Sequence, residues 1–186
     1  MSRGSTNLQK PALPNKTIVL VGLMGAGKST VGRRLARQIG RRFKDADDEI
    51  EKASAMKISD YFSTYGEPAF RDGEARVIER LLDGPPIVLA TGGGAFVTKA
   101  TRTLIQDKAI SIWLKADLDV LVQRTARRNI RPLLRAGNPR DILEKLLAER
   151  GPIYAEADLT VESSDMPHAA TVERIIAELN NFQETS

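Results

Sequence analysis

Short apolar runs of strand length alternate along this chain with longer segments whose apolar positions recur every three or four residues. Residues 16–21, Lys-Thr-Ile-Val-Leu-Val, read as a first strand. Val31, Leu35 and Ile39 then fall four apart, marking one face of a helix that opens near Lys28. Residues 42–47 form a short second strand ending in acids, and residues 48–79 read as mostly helical, with interruptions around Gly66 and Gly73. Residues 86–91 are a buried-type third strand stopped by Gly92-Gly93-Gly94. A helix over 98–106 leads to a fourth strand over 109–114, and a helix over 117–128 follows. The loop over 129–140 carries Pro132, Gly137 and Pro139; beyond it come a helix over 139–156, a strand over 159–161 and a last helix over 171–179. Strands alternating with helices predict an α/β fold, a parallel sheet covered by helices on both faces.

The first strand breaks into Gly22-Leu23-Met24-Gly25-Ala26-Gly27-Lys28-Ser29, which matches G-x-x-x-x-G-K-[ST] in the strand-to-helix context that motif requires. Gly22, Gly25 and Gly27 allow successive N–H groups to point inward at phosphate oxygens. The helix N-terminus adds partial positive charge at the same spot. Lys28 suits the β- and γ-phosphates and the Ser29 hydroxyl suits Mg²⁺.

Composition narrows the picture without choosing a substrate. The 186 residues are 41% hydrophobic and 28% charged, which fits one globular domain. No apolar run approaches the ~20 residues of a membrane span, and the N-terminus lacks a secretory apolar segment. Without cysteine there are no disulfides or thiolate metal sites, which accords with a cytoplasmic setting. A net charge of +4 and a pI of about 9.5 favour anionic ligands of any size. Met1 to Asn15 is polar, carries Pro11 and Pro14 and has no period, so residues 1–16 are expected to be a flexible tail and 17–186 a single domain.

Many phosphate-loop proteins end the third strand in an Asp that helps hold Mg²⁺. Here that position is Thr91, and Asp45 and Asp47 instead end the second strand. Ligands of an open parallel sheet lie at this strand edge. Alternate spacing on a strand turns the two carboxylates to different sides, one toward metal and one toward a substrate hydroxyl. A solvated acidic turn is the bland alternative.

Taken together, Gly22 to Thr30, Asp45-Ala46-Asp47, Gly66-Glu67-Pro68-Ala69-Phe70-Arg71 with Glu74, Ala90-Thr91-Gly92-Gly93-Gly94-Ala95 and Arg131-Pro132-Leu133-Leu134 resemble, in order and spacing, the shikimate kinases. The resemblance covers residues 17–161. It implies a nucleoside-monophosphate-kinase-like three-layer sandwich with sheet order 2-3-1-4-5, a substrate lobe over 46–75 and a mobile lid over 129–138. It also implies transfer of the γ-phosphate of ATP to the 3-hydroxyl of shikimate, with Mg²⁺, on the route to aromatic amino acids. On that resemblance Met24, Gly25, Ala26, Gly27, Lys28, Ser29 and Thr30 contact ATP, with Arg124 at the adenine. Asp47 bonds the shikimate hydroxyls as base or orienter, Arg71 and Arg150 hold its carboxylate, and Gly92 and Gly93 present backbone N–H. Glu74 orients Arg71 from the same helical face. Asp45 supports Mg²⁺ beside Ser29, and Arg131 closes on the transferring phosphoryl group.

The remaining features fall outside that pattern. Arg33, Arg34, Arg37, Arg41 and Arg42 are expected to face water, His168 to be a surface residue beyond the chemistry, and Trp113 to be core. No adenine contact is assigned in residues 163–168. Ala55-Met56-Lys57-Ile58 replaces the more usual Gly-x-[Ser/Thr]-Ile. A gluconate- or nucleotide-kinase-like enzyme shares the loop and lid but has no need of Asp45, Asp47, Arg71 and three glycines together. A nucleic-acid-binding ATPase is suggested only by the pI and the arginines and lacks an aromatic platform, aromatics being 5% of the chain. The expected partners are therefore ATP and shikimate, with no nucleic acid, no membrane and a monomeric state.

Overall fold

The computed structural model describes residues 13–127, 137–163 and 166–182. Five strands, β1 (Thr17–Val21), β2 (Phe43–Asp45), β3 (Val88–Ala90), β4 (Ala109–Lys115) and β5 (Leu159–Glu162), form one parallel sheet of order β2-β3-β1-β4-β5. The order matches expectation. β1 is wholly buried, as its unbroken apolar run requires of a central parallel strand. Leu20 pairs with Ala90 on one side and Ile112 on the other, and Asp45 pairs with Ala90. The C-terminal ends of β1, β2 and β3 therefore open side by side at one edge.

The helices are α1 (Lys28–Ile39), α2 (Ala46–Ser54), α3 (Ile58–Leu82), α4 (Lys99–Lys108), α5 (Leu118–Ala126), α6 (Pro139–Tyr154) and α7 (His168–Asn181). Val31 and Leu35 of α1 are fully buried, as their period predicts, and α1 packs with α7 while α3 packs with α4. Among the described residues no helix is long and apolar enough to cross a membrane.

One expected interruption is present in α3 and the other is not. Gly66 (φ 79°, ψ 174°) adopts a conformation that L side chains rarely take, and Pro68 then opens the second arm where a missing N–H costs nothing. Gly73 continues the helix. A short 3₁₀ turn, Ala95–Val97, follows the triple glycine without any signal in the hydrophobic pattern. Arg41 does not face water. Its guanidinium donates to the carbonyls of Lys16 (2.6 Å) and Pro14 (2.5 Å), pinning the chain just ahead of β1. Ile50, Phe70 and Val77 form a satellite core where α2 meets α3, with Tyr61 and Phe62 against it.

Candidate active site

The loop between β1 and α1 carries three left-handed glycines, Gly22 (φ 136°), Gly25 (φ 85°) and Gly27 (φ 94°), as a phosphate-cradling turn requires. At Gly22 a Cβ would also stand 2.8 Å from the Leu114 carbonyl, so the position excludes any side chain. Met24 and Ala26 are buried, and Thr30 lies in the first turn of α1. Lys28 is 8% exposed and turned back on its own loop, donating to the carbonyls of Gly22 (2.6 Å) and Leu23 (2.9 Å).

Behind the loop, Arg124 of α5 donates to the carbonyls of Gly25 (3.4 Å), Ala26 (3.3 Å) and Ser163 (3.2 Å). Ser163 in turn donates to Ala26 (2.8 Å). His168, read from sequence as remote, begins α7 and reaches this place, with its Cε1 3.4 Å from where a Gly27 Cβ would stand. Neither Ser163 nor His168 carries a local sequence signal, because each acts through a tertiary contact.

Ser29 donates to Asp45 Oδ2 at 2.7 Å, and Asp45 Oδ1 accepts the Asp47 amide at 3.1 Å as the N-cap of α2. Asp47 is thus in the first turn of a helix rather than on the strand, and the alternating-strand argument does not apply to it. What aims it is the helix turn. Its Oδ1 lies 2.9 Å from where a Gly92 Cβ would stand, with Glu74 Oε1 3.6 Å from the same point. The Ser29 hydroxyl and Asp45 carboxylate converge as hard oxygen donors, a set that fits Mg²⁺ held mainly by water and phosphate. No cluster of three or more His, Cys, Asp or Glu that could hold a metal occurs among the described residues.

Beside this edge lies a cleft of about 460 Å³ whose walls include Arg71, Gly94, Val97, Thr98 and Arg150. The second arm of α3 presents Glu67, Arg71 and Glu74 on one face. Arg71 donates to Glu74 Oε2 at 2.7 Å and to Glu67 Oε1 at 3.3 Å. Burial works against the Arg71 charge, but bonds to the two carboxylates outweigh it and hold the guanidinium above its ordinary range. Burial pushes the Glu74 carboxyl up, with Arg71 opposing and the nearby charge of Asp47 adding to the rise. Arg150 projects from α6 with Nη1 3.7 Å from a Cβ position on Gly93, which itself lies 3.7 Å from the Met24 amide nitrogen.

Gly94 was not singled out by sequence, yet it is the most restrictive glycine of the three: a Cβ there would meet Arg71 Nη2 at 2.2 Å. Phosphate loop, acidic edge and arginine cleft are therefore contiguous. Arg131 and residues 129–136 of the expected lid lie outside the described residues, as do residues 1–12 of the expected tail.

A parallel sheet whose first strand feeds a phosphate loop, with a carboxylate edge and a two-arginine cleft alongside, defines a phosphate-loop kinase built for a small anionic substrate. The family model for shikimate kinase matches residues 24–180, and the chain belongs to the shikimate kinase family. It is 59% identical to the shikimate kinase of Paramagnetospirillum magneticum over 90% of this chain and 86% of that one. With the shikimate kinase of Rhodopseudomonas palustris it shares 56% identity over 92% of this chain and 84% of the other. Among solved structures, Acinetobacter baumannii shikimate kinase in complex with shikimate superposes with a TM-score of 0.85 at 38% identity, covering 91% of this chain and 96% of that one.

Proposed function

We propose that this enzyme transfers the γ-phosphate of ATP to the 3-hydroxyl of shikimate, yielding shikimate 3-phosphate and ADP. The observation that carries this reading is the cleft in which Arg71 and Arg150 stand together directly beside Asp47 and the phosphate loop. A pair of planar guanidiniums suits bidentate capture of a carboxylate, and the adjacent carboxylate suits a hydroxyl that must face the γ-phosphate.

In this reading Met24 to Thr30 cradle the phosphates through backbone N–H groups. Lys28 leaves the Gly22 and Leu23 carbonyls to follow the transferring phosphoryl charge. Ser29 and Asp45 would hold Mg²⁺, which would supply neutralisation of phosphate charge. Asp47 accepts or orients the proton of the attacking hydroxyl, and its place against Gly92 fixes the approach. Arg71, oriented by Glu74, and Arg150 hold the carboxylate, while Gly92 and Gly93 leave room for the ring. Arg124 flanks the base, and Arg131 on a lid over 129–138 closes over the phosphoryl group and excludes water. The enzyme works as a cytoplasmic monomer.

A coupled ADP-release assay across shikimate, gluconate and nucleoside monophosphates tests the reading. ADP release that depends on shikimate and on neither alternative supports it; a preference for gluconate or a nucleotide overturns it.

A further inference from the structure

The triple-glycine loop and Arg150 come from distant parts of the chain, and one buried group joins them. The Tyr154 side chain is fully buried, and its hydroxyl donates to the Gly93 carbonyl, 61 residues away in sequence. Arg150, one helical turn earlier on α6, stands beside the same loop residue, its Nη1 3.7 Å from a Cβ position on Gly93. The ring itself rests on Trp113, with centroids 6.0 Å apart, and Trp113 Cδ1 stands 3.3 Å from a Cβ position on Gly22.

Phenylalanine would fill this volume equally well and bury no polar atom, so packing alone does not account for the hydroxyl. A phenol has one proton to give and lone pairs to receive. Here the proton goes to the Gly93 carbonyl, and the next residue, Gly94, lines the substrate cleft together with Arg150. Burial pushes the phenol above its ordinary value, with Arg150 and Arg71 opposing, so the group stays neutral and remains a donor. Because a peptide unit is planar, fixing the Gly93 carbonyl also fixes the direction of the Gly94 N–H, the unit against which Arg71 lies.

We infer that Tyr154 is a positioning residue for the substrate: its hydroxyl locks the Gly93–Gly94 peptide, which lies against Arg71 and Arg150, into the geometry that receives the carboxylate. This rests on the shikimate reading above. Tyr154 touches no reacting atom, so the effect belongs to substrate capture and not to ATP.

Steady-state kinetics of Tyr154→Phe with each substrate varied provide the test, paired with thermal unfolding and with the thermal shift produced by shikimate or ATP alone. Losing the hydroxyl that bonds Gly93 should raise KM for shikimate about three- to tenfold, the ratio expected for one hydrogen bond. KM for ATP and the ATP-induced shift should stay within a factor of two of wild type, and the shikimate-induced shift should shrink. Unchanged KM for shikimate in Tyr154→Phe overturns the inference. So does a parallel rise in both KM values with a lowered melting temperature, which would mark a purely structural hydroxyl. Failure of the wild type itself to turn over shikimate would instead overturn the substrate reading.

Discussion

Gly94→Ala isolates the arginine cleft from the rest of the site. A Cβ on Gly94 would stand 2.2 Å from Arg71 Nη2, 2.6 Å from Cζ and 2.7 Å from Nη1. Ordinary carbon contacts lie at roughly 3.5–4.0 Å, so the guanidinium must withdraw by more than about 1 Å. The backbone need not move, since Arg71 can swing, but its partner cannot follow. Glu74 is 1% exposed and bonds Arg71 at 2.7 Å, and removing one partner of a buried pair costs up to about 3–5 kcal/mol. Protonation limits that cost, because burial already favours the neutral Glu74 carboxyl. A displacement near 1 Å at a substrate-positioning group costs about 10²-fold. The expected outcome is a fall of about 10²-fold in kcat/KM for shikimate, with KM for ATP within twofold of wild type. The ATP side is spared because a Cβ on Gly94 meets Arg71 first, whereas the phosphate loop stands against Gly93. Gly151→Ala serves as the control, since a Cβ there meets nothing within 4 Å and the change from glycine to alanine inside α6 should stabilise by about 0.8–1 kcal/mol. Steady-state kinetics with each substrate varied, together with thermal melts, decide the matter. Wild-type KM for shikimate in a folded Gly94→Ala would refute the placement of Arg71 against this loop.

Other perturbations probe the neighbouring groups. Lys28→Ala should abolish turnover while losing about 2 kcal/mol of stability with the two loop hydrogen bonds, a drop in Tm of about 4–8 °C by calorimetry; retained turnover would remove Lys28 from the reaction. Asp47→Asn should lower kcat by about 10²–10⁴-fold with nearly unchanged ATP affinity, read by stopped assays and calorimetric titration. Glu74→Gln tests a stability-versus-pH effect. The folded chain holds the Glu74 proton more tightly than the unfolded chain, whose ordinary value is 4.5. Its contribution is therefore full below that value and is lost as pH rises through the raised folded value. Denaturant melts across that range should show a flatter decline in the variant, and an unchanged slope would place the proton elsewhere.

Much of the framework was legible because it is written locally. Unbroken apolar runs gave the strands, the four-residue spacing of Val31 and Leu35 gave α1, and Gly22 to Ser29 gave the loop. Asp45 and Asp47 were found as a pair, but the helix start between them was not, because Asp45 is both strand end and N-cap. The rest depends on contacts across long sequence distance. Arg41 looked like one more solvated arginine until its carbonyl partners near Pro14 came into place. Gly94 is restrictive only because Arg71 folds over it, and Tyr154 reads as an ordinary core aromatic without Gly93 above it. His168 lies 141 positions beyond Gly27, and no periodicity connects them.

The central claim, phosphoryl transfer from ATP to one hydroxyl of shikimate, is tested most directly by following ³¹P in a reaction of the purified enzyme with ATP, Mg²⁺ and shikimate. The account predicts loss of the γ-phosphate signal, matched by a new phosphomonoester resonance coupled to the proton on C3 of the ring, with one ADP formed per ester. Phosphate on a different hydroxyl, or free inorganic phosphate with shikimate unchanged, would contradict it.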